Sequence, residues 1–431
     1  MVGEWKKDRL SDLCEQIADC PHSTPLWTDI GELVLRSQNI RNGRLDLSAR
    51  SYTDDAHFEQ RSRRARLRGG DLVITREAPM GEVCLIPDGL RCCLGQRMVM
   101  LRPDPKKCDS RFLLYSIQSR AVQDEIKVNE GTGSTVSNLR IPLLEALPIS
   151  HPPLTEQRSI AAVLGALDDK IELNRRMNAT LEAMARVLFQ SWFVDFDPVR
   201  AKLDGRKPLG MDEATAALFP ATFDETELGH IPQGWKAQRL PDAIEVNPRR
   251  TLKGGTIAPY LDMKNLPTQG HSADEVIDRV FSSGTKFQNG DTLLARITPC
   301  LENGKTGFVD FLDDGQIGWG STEYIILAPK SPLPPQFGYL LARSDALRSH
   351  AIQNMTGTSG RQRVPSECFN TFWLAVPTSA ISNRFDELTA PLMAKIKANS
   401  TESRTLATLR DTLLPKLLSG ELSMADATDK L

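Results

Sequence analysis

Two short polar runs carry side chains suited to reading a base edge. Ser37-Gln38-Asn39 and Met263-Lys264-Asn265 each follow a β-like run. The carboxamides of Gln38, Asn39 and Asn265 offer the paired donor and acceptor that the major-groove edge of adenine requires, and Lys264 suits guanine. Arg76 follows Leu72–Thr75 and Arg296 follows Asp291–Ala295, each run opened by a Gly-Asp turn at Gly70-Asp71 or Gly290-Asp291. Arginine is clustered at Arg61, Arg63, Arg64, Arg66 and Arg68, at Arg249-Arg250, and at Arg361 with Arg363. Clusters of this kind suit local phosphate contacts. Thr132, Ser134 and Thr135 in one Gly-rich loop, and Thr358 and Ser359 in another, add short donors for phosphates or bases. Each group alone reads as a solvated loop. Their occurrence in matched pairs points to DNA.

Catalytic chemistry is not supported. Gly304-Lys305-Thr306 resembles the end of a phosphate-binding loop, but the pattern needs glycine at 299, where Pro299 stands. Gly131-Thr132-Gly133 is too short for a dinucleotide fingerprint. Phe196-Asp197-Pro198-Val199 lacks the second proline and the aromatic residue of the tetrad that grips a flipped base in amino-methyltransferases. Asp124-Glu125-Ile126-Lys127 has no upstream carboxylate to complete a nuclease metal cradle and reads as a solvated helix face. The six histidines are dispersed, and the eight cysteines form no C-x-x-C pair. No catalytic, cofactor or metal site is expected in this chain, and the thiols read as reduced and mostly buried.

The elements that must position the polar runs are duplicated. Lys170-Ile171, Asn174, Leu181 and Leu188 answer Lys395-Ile396, Asn399, Leu406 and Leu413, since 395−170, 399−174, 406−181 and 413−188 all equal 225. Gln38-Asn39-Ile40 answers Lys264-Asn265-Leu266 at 226, and Trp5-Lys6 with Arg9-Leu10 answers Trp235-Lys236 with Arg239-Leu240. Each half is therefore a globular part followed by a long helix. Within the first half a helix is expected from Ser110 to about Lys127. The first long helix is expected over about 155–192, roughly 55 Å, with Thr155 as N-cap and Pro198 as the stop. Its apolar residues at 160, 164, 167, 171, 177, 181, 184 and 188 step by threes and fours like a coiled-coil seam. Asn174 and Asn399 fall at matching seam positions and favour packing of one helix on the other. The seam and its ends, taken as spacer and partner interface, comprise Leu164, Leu167, Ile171, Asn174, Leu181, Leu188, Trp192, Phe193, Leu392, Ile396, Asn399, Leu406 and Leu413. The aromatic end Trp192–Phe196 caps the coil or docks a partner. The second long helix is expected over about 383–418, kinked or ended near Pro415.

The chain has 431 residues and a formal net charge of −2, which argues against a generic polyanion binder. Residues 195–230 hold eight acidic and four basic residues, an acidic connector rich in proline and glycine. No apolar run approaches the roughly 18 residues of a membrane span, and MVGEWKKDRL is not a signal peptide. A cytoplasmic protein is expected.

Three strings then carry a resemblance: PPLTEQRSIAAVLGALDDKIELNRRMNATLEAMARVLFQSWFVDFDPV at 152–199, LDGRKPLGMDEATAALFP at 203–220 and LGHIPQGW at 228–235, with LLPKLLSGELS at 413–423 near the end. The chain resembles the specificity subunits of Type I restriction-modification enzymes over nearly its whole length. The resemblance implies an α+β chain of two pseudo-repeated target recognition domains, with two long helices packed as an antiparallel coiled coil. The expected divisions are 1–152 and 234–379 for the recognition domains, 153–198 and 380–420 for the helices, 199–233 for the connector and 421–431 for a tail. It implies that each domain reads one part of a split, asymmetric site in double-stranded DNA. Two modification subunits and two restriction subunits are the implied partners, and AdoMet, ATP and Mg²⁺ belong to them. Ser400–Arg404 replaces Arg175–Ala179 in the second helix, so the repeat is only approximate. Two other readings are a self-sufficient fusion of methyltransferase and specificity parts, which the length disfavours, and a coiled-coil scaffold with no DNA role.

Overall fold

The computed structural model describes residues 5–128, 138–358 and 360–422. Thr132, Ser134, Thr135 and Ser359 lie outside the described residues. The chain forms two compact units, residues 1–171 with 404–431, and residues 172–403.

In the first unit an antiparallel sheet has the order Cys14–Asp19, Met98–Pro103, Leu72–Thr75, Val83–Leu85. In the second the order is Ile244–Val246, Tyr324–Pro329, Thr292–Ala295, Thr306–Phe308, which is the same topology. The central strands are continuous apolar runs because both faces are covered. Leu72, Ile74, Val99 and Leu101 enter one core with Phe112 and Leu113, whereas Val73, Met98 and Met100 enter another with Ile40 and Cys84. The second unit divides its alternate residues likewise. Leu294, Ile325 and Leu327 join Phe337, and Leu293, Ala295 and Ile326 join Phe287. A parallel pair recurs in each, Glu32–Leu35 with Cys92–Leu94 and Ile257–Leu261 with Gly318–Gly320. Each unit also pairs an early strand with its last, Lys6–Arg9 with Pro148–His151 and Lys236–Arg239 with Trp373–Val376. The Gly-Asp turns match as well. Gly70 and Gly290 hold φ of 86° and 90°, a region glycine adopts without strain. The following carboxylates, Asp71 and Asp291, accept from the Arg68 and Gln288 backbone N–H, both at 2.9 Å.

The two long helices span Leu154–Phe193 and Ser379–Leu418, forty residues each. Their segments in the second unit run antiparallel, with Asn174 beside Asn399 and Phe193 against Phe385. In the first unit Asp168 accepts from Arg410 at 2.6 Å.

Several expectations need correction. The helix over 110–127 is two helices, Ser110–Gln118 and Arg120–Val128. Ser119 separates them, its hydroxyl donating to Ser116 O at 2.7 Å and accepting from Val122 N. Thr155 is not the N-cap, because the helix begins at Leu154 and Glu156 and Gln157 already donate to Pro153 O. Pro415 does not end the second helix, which continues to Leu418. Pro415 is exposed in the last turn, where one missing donor costs little. Met177 and Met184 are not in the seam. They are 36% and 54% exposed on the opposite face, and the buried positions there are Asn174 and Ala185. The acidic connector is ordered, with helices Asp197–Leu203 and Glu213–Leu218 and a hairpin Phe223–Thr226 with Gly229–Pro232.

A candidate nucleic-acid interface

The candidate DNA contacts divide sharply by their surroundings. Gln38, Arg63, Arg64, Arg249, Lys264, Thr358 and Arg361 are exposed. None of their side chains makes a hydrogen bond or ion pair among the described residues. Gln38 stands on a short helical turn, Ser37–Asn39, directly after the strand Glu32–Leu35, and Lys264 stands on its counterpart, Met263–Asn265, after Ile257–Leu261. A rigid strand thus delivers each polar run to the surface.

Other candidates are structural. Arg61 is corrected from phosphate contact to internal staple. It is 4% exposed, and its guanidinium donates to the carbonyls of Leu94, Ser23, Pro21 and Gly95. The helix Asp55–Ser62 brings it under the loop it holds. Burial pulls its pKa below the usual guanidinium value. Asn39 is likewise buried. Its Oδ1 accepts from Arg36 N at 2.9 Å and its Nδ2 donates to Asp46 O and Ala49 O, both at 2.8 Å. Arg76 donates to Leu139 O, Asp19 and Asn138. Arg250 donates to Asp291 at 2.7 Å, and Arg363 grips Glu323 through both carboxylate oxygens. Asn265 donates to Glu275 at 3.3 Å. Arg296 differs from its counterpart Arg76, since its Nε is buried with no hydrogen-bond partner.

Burial raises the pKa of seven of the eight thiols. All eight cysteines are free; burial pushes Cys14 and Cys92 up to about 12 and Cys93 and Cys368 up to about 11. No group of three or more potential ligands among the described residues could hold a metal ion. Lys305, from the phosphate-loop look-alike, donates to Met263 O at 2.6 Å and to Lys264 O at 3.0 Å and so braces a turn.

Residues 3–183 match the family described as Type I restriction modification DNA specificity domain. The Type I restriction enzyme MjaIX specificity subunit of Methanocaldococcus jannaschii is 25% identical over 369 residues, covering 83% of this chain and 78% of that protein. The HindI specificity subunit of Haemophilus influenzae is 23% identical over 405 residues, covering 83% and 87%. By sequence the chain is thus similar to Type I specificity subunits over 83% of its length. Its fold is shared with the Type-I restriction-modification system S subunit from M. genitalium, at a TM-score of 0.54 and 17% identity over 96% of both chains.

In this chain Leu164, Ile171, Asn174, Trp192, Phe193, Ile396 and Asn399 are buried, whereas Leu167, Leu181, Leu188, Leu392, Leu406 and Leu413 are half-buried. The two asparagines exchange bonds. Asn174 Nδ2 donates to Asn399 O, Glu402 and Ser403, and Asn399 Nδ2 donates to Asn178 Oδ1 at 2.8 Å. Asn178 lies 225 residues before Ser403, so the exchange is reciprocal. Such a polar pair costs stability and penalises a slipped register. The aromatic end of the first helix is not exposed, as expected for a docking surface. Trp192, Phe193 and Phe196 are at most 9% exposed, packed with Phe219, Trp235, Phe337 and Phe385. The connector supplies Phe219 to this cover, and the second recognition domain and second helix supply the rest.

Sequence reasoning missed a set of polar contacts to the first long helix. Tyr115 donates to Asp168 at 2.8 Å, Arg111 grips Asp169 with both terminal nitrogens, and Tyr339 donates to Glu182 at 2.7 Å. The available signal was the aromatic and arginine content of Ser110–Gln118 and Pro335–Ala342, but the partners are 53 to 157 residues away.

Proposed function

We propose that this specificity subunit reads a split, asymmetric sequence in double-stranded DNA and carries no catalytic activity itself. The observation that carries the reading is the repetition of one strand order, one polar run and one forty-residue helix in both halves. Each recognition domain, 1–152 and 234–379, contacts one part of the site in a major groove. The parts lie about one helical turn (~34 Å) apart. The helices 153–198 and 380–420 set the gap. The exposed Gln38 and Lys264 face bases, and Arg63, Arg64, Arg249 and Arg361 hold phosphates. Arg296 is kept in this set.

Two modification and two restriction subunits complete the assembly in the cytoplasm and bring AdoMet, ATP and Mg²⁺. An apolar stripe supports docking of a modification-subunit helix. Leu173, Met177, Met184, Val187 and Val194 are 36–68% exposed. They fall at heptad spacing on the face opposite the buried seam. No helix among the described residues is long and apolar enough to cross a membrane.

Methylome sequencing of cells carrying this chain with its modification subunit, against cells lacking the chain, tests the proposal. A new split adenine-methylated motif is expected. Its absence with both proteins present and associated overturns the reading. Inserting one heptad in both helices should lengthen the gap or abolish methylation, and an unchanged motif refutes the ruler. The scaffold reading predicts no DNA binding by the complex, and the fusion reading predicts methylation by this chain alone.

A further inference from the structure

The polar run at Met263–Asn265 leads into a loop whose carbonyls converge on one guanidinium. Arg343 donates through Nη1 to Thr268 O at 2.6 Å and Gly304 O at 2.8 Å, and through Nη2 to Gly270 O and to Thr306 O at 2.8 Å. Its remaining donor, Nε, goes to the Tyr339 hydroxyl at 3.1 Å. All five N–H groups are then engaged, leaving none for DNA. The Tyr339 hydroxyl in turn donates to Glu182 Oε1 at 2.7 Å, and Tyr339 and Glu182 are both buried. Burial holds Tyr339 protonated well above the usual phenol value, so it donates throughout the neutral range. Glu182 lies on the first long helix. The chain of bonds therefore runs from the loop 267–270, just after Lys264, to the helix.

The first half contains the same kind of connection built from residues that are not equivalent in sequence. The run at Ser37–Asn39 leads into the hairpin Ile40–Arg41 with Arg44–Leu45. Arg44 donates to Asp168 Oδ1 at 3.5 Å, and Asp168 Oδ2 accepts from Tyr115 at 2.8 Å. Asp168 is also on the first long helix. In both halves a tyrosine donates to a carboxylate of that helix, and an arginine links the loop after the polar run to the same site, Arg343 through the Tyr339 hydroxyl and Arg44 by its own bond to Asp168. The repeat offset of 225 would pair Tyr115 with Leu340 and Asp168 with Met393, so inheritance of position does not explain the recurrence.

We infer that Glu182 with Tyr339 and Arg343, and Asp168 with Tyr115 and Arg44, are positioning residues that index each DNA-reading loop to the spacer helix and thereby set how strictly its part of the site is read. The inference rests on the proposed DNA-reading function. Charge-assisted bonds to a rigid helix, buried at Glu182 and half-buried at Asp168, hold a loop within the tolerance that bidentate base contacts demand. A loop released from its anchor keeps its side chains and loses their aim.

The test uses the complete complex with the modification subunit and compares wild type, Tyr339→Phe, Tyr115→Phe and Glu182→Gln. The readouts are the methylated motif, resolved base by base, and methylation of competing duplexes altered in one part of the site. Tyr339→Phe should lower discrimination roughly tenfold in one part and leave the other unchanged, and Tyr115→Phe should do the reverse. Glu182→Gln keeps an acceptor for the Tyr339 hydroxyl and should retain discrimination. Thermal unfolding of the same complexes separates a lost fold from a lost aim. Discrimination unchanged in both Phe variants, or lowered equally in both parts, overturns the inference. So does loss that only tracks a fall in melting temperature. A wild-type complex giving no split motif instead overturns the function proposal, so the two failures are distinguishable.

Discussion

The two units seat the long helices with different chemistry at equivalent positions. Ile160 and Leu417 lie in the first unit's core, and their counterparts at the 225 offset, Phe385 and Trp192, lie in the second's. The aliphatic pair becomes an aromatic pair with centroids 5.9 Å apart, joined by Phe189, Phe193, Phe219 and Phe337. The difference follows from the connector, which belongs to the second unit and supplies Phe219 and Phe223 to its core. A duplicated sequence thus keeps positions and lets the side chains respond to what each copy must cover. Arginine shows the same divergence. Arg76 donates from each of its three guanidinium nitrogens in the first unit, and Arg296 in the second is left with a buried Nε lacking a partner.

The comparison can be broken most severely at the helix seats. Phe193→Ala should destabilise the protein by about 4 kcal/mol and Leu417→Ala by about 3 kcal/mol. Urea unfolding of the purified complex measures both, and a larger cost at Leu417 contradicts the ranking. Next in size is Arg61→Leu, which strands four carbonyls and should cost about 3 kcal/mol. Arg64→Ala, exposed on the same segment, should leave stability within about 0.5 kcal/mol while reducing the salt dependence of DNA binding by about one unit of slope. If Arg61→Leu weakens DNA binding in a fully stable complex, the staple assignment fails. A subtler contrast separates the arginines after the Gly-Asp strands. Arg296→Ala should lower DNA affinity about tenfold, whereas Arg76→Ala should chiefly lower the melting temperature.

The smallest effect is in pH. Burial raises the pKa of Asp291, against the pull of Arg250 and of the Gln288 N–H. A carboxyl whose folded pKa is raised binds a proton more tightly when folded. Its contribution is fully present below the ordinary aspartate value of 3.8 and is lost as pH rises through the raised value. Asp291→Asn should therefore flatten the second unit's stability over that window. A pH series of melting curves checks the sign, and a steeper loss in the variant would reverse it.

Much of the fold was legible because its signals are local or repeated. The strands Glu32–Leu35, Leu72–Thr75 and Met98–Pro103 are apolar runs bounded by turns, and the long helices carry apolar residues at threes and fours. The break at Ser119 was hidden because its flanks both favour helix, and only the bond to Ser116 O separates them. The face of Met177 and Met184 was misjudged because two heptad seams share one helix, and composition does not say which is covered. In the candidate site, exposure divided residues of identical type. Arg61 and Arg64 are three apart, yet one reaches inward to carbonyls and the other outward.

The sequence by itself determined the duplication, the strand and helix periods, the reciprocal asparagines and the absence of any motif for catalysis, because each depends on spacing along one chain. Tertiary structure alone decided which polar side chains are free. A guanidinium or carboxamide is free at the surface or an internal staple according to whether carbonyls from distant segments surround it. Those carbonyls belong to the backbone, which every residue carries and no sequence pattern distinguishes.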